Sequence, residues 1–194
     1  MQILPRFLAE FARAMRNFQY EKTINGLYFP KQKIVMGGIF GHSVDGSPMV
    51  SDHNTAALEG LDAILSCYFN NGAPPPGFYI APFTNNVAPS SALTAATFAE
   101  TQGEYTGYTQ PTRVQWVPNG NSAAQTMSNS VAVATFTVGA AAVTITGAGM
   151  IANAPAKSAV AGELTAAALF GIANSLNPGS TLQVQYNFAA MPAD

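Results

Sequence analysis

Charge is what this sequence lacks most. Only 9% of its 194 residues are charged, against roughly 25% in typical soluble domains, whereas 48% are hydrophobic. A free monomer usually keeps itself soluble with more charge than this. Because a surface covered by neighbouring subunits tolerates such a composition, we expect the protein to work as a homo-oligomer or as a subunit of a larger assembly.

Other absences limit the chemistry. The single cysteine, Cys67, excludes an intramolecular disulfide, and the sequence has no run of about 18 apolar residues that would predict a transmembrane helix. His42 and His53 each lie near an aspartate, but their spacing matches no metal-binding motif. Walker, G-x-S-x-G and Cys–His nucleophile patterns are also missing. We therefore expect no enzymatic activity, no cofactor, no bound metal and no membrane partner.

The few charges are distributed unevenly. Residues 1–33 carry six basic and two acidic side chains, a net charge of +4, and the rest of the chain carries two basic and eight acidic, a net charge of −6. A basic N-terminal segment followed by an acidic remainder, which we call the body, indicates that the two parts bind different partners. The only basic residues after residue 33 are Arg113 and Lys157, so we do not expect the body to bind nucleic acid.

The N-terminal pattern predicts an amphipathic helix over residues 3–18. Apolar residues recur there at three- and four-residue steps, while basic residues mostly occupy other faces. Such a helix can pack on its own domain or lie in the groove of a partner. We treat residues 1–52 as a docking arm, and within it D45-G-S-P48 predicts a turn. Its candidate partner-docking residues are Arg6, Phe7, Phe11, Arg13 and Phe18.

Residues 54–69 predict a second short helix, capped by Asn54 or Asp52. Its expected apolar stripe contains Leu58, Leu61, Ile64, Leu65 and Tyr68 or Phe69. The sequence N70-N-G-A-P-P-P-G77 ends the helix, because proline and glycine clusters mark turns and linkers.

Beyond residue 77 the pattern becomes β. Alternating or apolar runs predict strands at 78–83, 113–117, 131–138, 141–146 and 181–188. Residues 93–100 fit a helical turn, and 164–170 fit either a helix or a strand. Strands at this spacing, separated by turn signals, are typical of an antiparallel β-sandwich of the jelly-roll or immunoglobulin-like type. The predicted fold is therefore mainly β, with residues 53–194 as the sandwich body.

The stretch E104-Y-T-G-Y-T-Q-P-T-R113 gathers residue types that are scarce elsewhere. It combines a carboxylate and a guanidinium with two tyrosines, which would suit either a catalytic acid with aromatic walls or a structural corner. We favour a corner in which Glu104 pairs with Arg113 while Tyr105 or Tyr108 packs on the sandwich edge. If exposed, such a pair contributes only about 0–1 kcal/mol to stability.

Four patterns together resemble a known group of proteins. They are N-x3-L-E-G-L-D-x-I-L-x-x-Y-F from residue 54, G-F-Y-I from 77, E-Y-T-G-Y-T-x-P-T-R-x-x-W from 104 and N-P-G-S-T-L-Q-V-Q-Y-N-F from 177. This arrangement is similar to small virion structural proteins of tailed, especially short-tailed, bacteriophages. Ser180 replaces an acidic residue of the family's last pattern.

The resemblance implies a non-enzymatic virion component: a head decoration or cement protein, a head–tail collar protein or a fibre-attachment protein. Its partners would be capsid, portal or tail subunits, and it would be made in the host cytoplasm and reside in the virion. The alternative is a receptor- or carbohydrate-binding tail fibre module, in which sugars would stack on aromatic rings near Trp116, Tyr105 and Tyr108.

Overall fold

The computed structural model describes residues 20–22, 26–30, 33–119 and 125–193. The described strands are β1 (Tyr20–Lys22), β2 (Tyr28–Pro30), β3 (Lys33–Val44), β4 (Val50–His53), β5 (Thr55–Ala56), β6 (Phe78–Phe83), β7 (Val114–Trp116), β8 (Thr126–Ser128), β9 (Ala134–Thr137), β10 (Val143–Ala152), β11 (Glu163–Leu176) and β12 (Thr181–Ala193). The described helices are α1 (Leu58–Phe69) and α2 (Ala95–Gln102).

The chain divides into two compact units. The smaller comprises residues 1–35 and 190–194, and within it β1 and β2 pair antiparallel. The larger, Met36–Ala189, contains the rest. Strand β3 and all but the last residue of β4 lie within the predicted docking arm of residues 1–52, yet β3 pairs with β4 on one side and with β12 on the other. The predicted amphipathic helix of residues 3–18 lies outside the described residues.

Two antiparallel sheets form the larger unit, which confirms the predicted mainly β sandwich. The first sheet has the strand order β5-β11-β10-β6-β7, and the second has the order β4-β3-β12-β8, with β9 also pairing with β12. The hairpin between β3 and β4 turns at Asp45 and Gly46, where both φ angles are positive (49° and 76°). The sequence D45-G-S-P48 predicted that turn, because aspartate and glycine tolerate this conformation.

The main core lies where the two sheets face each other. Phe40 and Tyr186 of the second sheet pack in one apolar cluster with Ile80, Ala148 and Phe170 of the first. Along β12 the buried residues alternate with half-buried glutamines, as the period-2 pattern of residues 181–188 predicted. Burial of this apolar surface is the main force that holds the sheets together.

A second core lies on the opposite face of the first sheet. Phe83 and Leu164 pack there with Phe98 of α2. The first sheet is therefore buried on both faces, and eight consecutive residues of β10 are buried. Residues 164–170 belong to β11 and are largely buried as well, so their sequence shows no alternation. This double burial explains why their pattern also fitted a helix.

Helix α1 differs from its prediction in two ways. It begins at Leu58, with Ala57 as the N-cap, because residues 55–56 pair with β11 as β5. The predicted caps were wrong: the Asn54 side chain instead accepts a hydrogen bond from Gly38 N at 2.6 Å, and Asp52 accepts one from Gly171 N at 2.9 Å.

The predicted apolar stripe of α1 is not the face that the helix buries, because the buried position is Gly60. A Cβ atom at Gly60 would lie 2.6 Å from Thr165 Cα of β11. The missing side chain therefore lets the helix backbone approach the sheet closely. As a result the helix turns several of its apolar residues outward.

Candidate functional site

The Arg113 side chain makes four hydrogen bonds although it is only 1% exposed. Its Nε donates to Glu104 Oε1 at 2.9 Å and its Nη2 to Glu104 Oε2 at 2.6 Å. Nη1 also donates to the carbonyl oxygen of Ala154 at 3.0 Å, and Nη2 to that of Ala159 at 3.2 Å. The Glu104 and Arg113 side chains are thus a fully buried, bidentate ion pair. We call it the Glu104–Arg113 clamp.

The clamp joins two loops that are distant in sequence. Glu104 follows α2 and pairs with Phe83 in an isolated bridge, while the segment after β10 supplies the other partners. In that segment Pro155 O accepts the Arg113 backbone N–H at 2.8 Å. Ser158, whose φ is 55°, turns its own N–H toward Glu104 Oε2 at 3.2 Å. The clamp therefore fixes the path of the loop between β10 and β11.

Lys157 and the two tyrosines complete this corner. The Lys157 ammonium donates to the carbonyl oxygens of Thr106 (2.9 Å) and Tyr108 (2.8 Å), and it lies 3.8 Å from the centre of the Tyr108 ring. That cation–π contact and the two hydrogen bonds hold the 104–113 loop against the Lys157 loop. The Tyr105 ring is 6.0 Å from that of Tyr108, which packs edge-on against Phe136.

Burial governs the titration of these groups. It raises the pKa of the Tyr108 phenol far above its usual range, and the negative charge of Glu104 adds to this increase. Burial also raises the pKa of Tyr105 and lowers the pKa of Lys157, the latter partly opposed by Glu104. The Tyr108 hydroxyl is buried and has no hydrogen-bond partner among the described residues.

The clamp has little capacity for acid–base catalysis. Both Glu104 oxygens are occupied by hydrogen bonds from Arg113 and Ser158, and the pair is inaccessible to solvent. A general acid needs to reach a substrate atom within hydrogen-bond distance. The structure therefore brings together all four residues of the predicted corner, with Glu104, Arg113 and Tyr108 in the interior and Tyr105 half-buried.

A second polar cluster connects the two sheets. His42 is 1% exposed and stacks on Phe170, with ring centres 4.0 Å apart. Its Nε2 lies 3.1 Å from Asp52 Oδ2, and its Nδ1 accepts a hydrogen bond from Asn174 Nδ2 at 2.9 Å. Because β3 and β4 belong to one sheet and β11 to the other, this cluster is a polar link across the sandwich. Sequence reasoning could not find Asn174, which lies 132 residues away.

The third feature is the outward face of α1. Its apolar side chains Leu58, Leu65, Tyr68 and Phe69 are more than half exposed. Beside it is an open groove of about 600 Å³ that is lined in part by Glu59, Asp62 and Glu163. The sequence pattern identified these apolar residues but not the direction in which they face.

Neither a metal nor a membrane span is indicated by the residues that the structure describes. No cluster of three or more His, Cys, Asp or Glu residues is found there, and neither α1 nor α2 has the length and hydrophobicity needed to cross a bilayer. The candidate docking residues Arg6, Phe7, Phe11, Arg13 and Phe18 lie outside the described residues.

Comparison with known proteins leaves the function to be argued from these features. No protein-family model matches the chain, and no curated protein shows significant sequence similarity to it.

Proposed function

We propose that this protein is a structural component of a tailed-bacteriophage virion that docks through its N-terminal arm. It would serve as a head decoration protein, a head–tail collar protein or a fibre-attachment protein. The observation that best supports this structural role is the Glu104–Arg113 clamp. An element that contributes much to the resemblance, residues 104–116, forms an internal joint of the sandwich rather than a reactive surface. A charged pair that is closed to solvent cannot reach a substrate, so its contribution is to the shape of the protein.

Two other ionisable side chains of the larger unit, His42 and Glu59, have structural partners and support a non-enzymatic role. His42 is buried between Asp52 and Asn174. Glu59 accepts hydrogen bonds from the backbone N–H groups of Ala95 and Leu164, both at 2.7 Å. These contacts join α1 to α2 and to β11, so the carboxylate has a structural role. A catalytic site would need acids and bases that face a substrate.

The alternative, a carbohydrate-binding module, has less support. Trp116 would be the natural stacking platform for a sugar, but it is only 5% exposed. Its indole N–H donates to the Tyr186 carbonyl oxygen at 3.1 Å, within the main core. Tyr108 is buried as well. Two of the three aromatic residues that motivated this alternative are therefore occupied in packing.

Incorporation into particles tests the proposal. Virions are assembled with a chain that lacks residues 1–33 in place of the full chain, and its copy number per particle is measured by quantitative mass spectrometry. We expect the truncated chain to be absent from particles, while its circular dichroism and cooperative melting show a folded body. Incorporation at the normal copy number would refute arm docking.

Point substitutions refine this test. Phe7→Ser combined with Phe11→Ser removes two rings from the predicted apolar stripe, and we expect incorporation to fall at least tenfold. The matched control changes Ala9 and Ala12 to serine, because these positions lie on another face of the predicted helix. Equal losses in the two double variants would contradict docking through the aromatic face.

A further inference from the structure

The outward face of α1 carries an apolar stripe without a covering element among the described residues. Leu58, Leu65 and Phe69 recur at i, i+7 and i+11, which places them within about 60° of one another around a helix of 3.6 residues per turn. They lie opposite Gly60, the position that touches the sheet. Their exposed fractions are 54%, 54% and 84%. Exposed apolar side chains grouped on one face in this way mark an interaction site.

The N-terminal segment has the complementary spacing. Phe7, Phe11 and Phe18 recur at i, i+4 and i+11, which is the spacing of the α1 stripe read in the opposite direction. If residues 3–18 form the helix that their pattern predicts, an antiparallel pairing sets each phenylalanine against one exposed residue of α1. The pairs are Phe7 with Phe69, Phe11 with Leu65, and Phe18 with Leu58.

Side-chain size agrees with this register, and overall charge agrees with the pairing of the two segments. Asp62 is the exposed residue at the middle of the α1 stripe, and the same register sets the small Ala14 opposite it. Residues 3–18 contain three arginines and one glutamate, a net charge of +2. The groove beside α1 is lined by Glu59 and Glu163 in addition to Asp62. A basic segment is therefore attracted to an acidic surface.

We propose that residues 3–18 of a second copy of this chain dock antiparallel on the outward face of α1. This proposal rests on the docking arm of the proposed function and names its partner. Exchange of arms between two copies makes two identical contacts, which covers both apolar faces. It also explains how a chain with only 9% charged residues avoids nonspecific association.

Disulfide trapping tests the partner and the register in the full-length chain. In a Cys67→Ala background, one copy carries Phe11→Cys and a second, differently tagged copy carries Leu65→Cys. Each chain then has one cysteine, so that a disulfide between the two tags reports contact between copies. We expect this disulfide to form under mild oxidation. The matched control uses Val131→Cys, at a position that is 86% exposed and remote in sequence from α1, and should not cross-link.

A second pair of mixtures fixes the direction. Phe7→Cys should cross-link with Phe69→Cys and not with Leu58→Cys, whereas a parallel arrangement gives the reverse result and refutes the proposed register. A chain that carries both Phe11→Cys and Leu65→Cys is tested as well. If it closes an internal disulfide while the mixed copies stay separate, the segment binds its own chain, and the proposal of a second copy is wrong.

Association strength gives an independent readout. By sedimentation equilibrium, Leu65→Asp should weaken self-association more than tenfold, and Val131→Asp should leave it unchanged. Asp62→Lys should weaken it at least threefold, whereas Glu100→Lys, with the same charge change at an exposed site on α2, should not. Equal effects of the paired substitutions would overturn the assignment of this face.

The outcome is separable from that of the proposed function. If the cross-links are absent but the chain without residues 1–33 still fails to enter particles, the arm docks on another virion protein and only the present inference is lost. If the cross-links form but the truncated chain enters particles normally, the copies associate as inferred and the docking role of the arm is lost.

Discussion

Replacement of Arg113 by methionine removes the guanidinium of the Glu104–Arg113 clamp while it retains most of the apolar volume. The change eliminates two hydrogen bonds to Glu104 and one each to the Ala154 and Ala159 carbonyl oxygens. Among the described contacts of the Glu104 carboxylate, only the 3.2 Å bond from Ser158 N then remains. Loss of one partner from a buried ion pair costs about 3–5 kcal/mol.

That magnitude is large beside the about 5–15 kcal/mol that stabilises a typical domain. In urea denaturation with an m value of about 2 kcal/mol per M, a loss of about 4 kcal/mol moves the unfolding midpoint by about 2 M. Unfolding of the purified full chain is followed by circular dichroism. The control Glu100→Gln, on the exposed side of α2, should leave the midpoint unchanged.

The double variant Glu104→Leu with Arg113→Met separates charge from packing. It removes both buried charges, so we expect it to recover much of the stability that Arg113→Met loses. A loss below about 1 kcal/mol for Arg113→Met alone is the value of a surface pair, and it would refute the structural role of the clamp. No recovery in the double variant would show that shape, not an uncompensated charge, causes the loss.

Two other predictions follow from close packing and burial. Gly60→Ala should lower the free energy of unfolding by about 1–3 kcal/mol, because the new methyl group meets the β11 backbone at 2.6 Å. The control is Gly37→Ala, whose methyl group would meet no atom within 4 Å. A Gly60→Ala variant that is more stable than the original chain would contradict the close approach of the helix to the sheet. In an ultraviolet titration, Tyr108 and Tyr186 should stay protonated through the range near pH 10 where an exposed tyrosine ionises, because burial raises the pKa of both phenols. Since the folded state raises these pKa values, their contribution to stability is complete below about pH 10 and declines as the pH rises above it. Tyr186→Phe should leave the number of groups that ionise in this range unchanged, and the loss of one group would show that Tyr186 is accessible.

Local sequence patterns predicted the elements that have one solvent-exposed face. The alternation of β12, the turn at D45-G-S-P48 and the helical turn over 93–100 each appear in the structure close to their predicted positions. A half-buried strand must alternate, and a tight turn needs residues that tolerate positive φ. These requirements act between neighbours in the chain, so the sequence displays them directly.

Elements that are buried on two sides were harder to predict. Residues 164–170 showed no period because the second sheet packs on one face of β11 and the helices on the other. In α1, the apolar residues indicated a helix but not which side faces the sheet. That choice depends on Gly60 and on the β11 backbone at Thr165, which lies 105 residues further along the chain.

A mainly β chain with low charge, helices at 54–69 and 93–100 and a charged aromatic corner from Glu104 to Arg113 could thus be inferred from the sequence. The folded structure shows that the corner is buried, because its depth depends on Ala154, Ser158 and Ala159 from a loop more than 40 residues away. It also decided that α1 turns an apolar stripe outward. Periodicity reports which residues share a face, whereas long-range packing determines what that face meets.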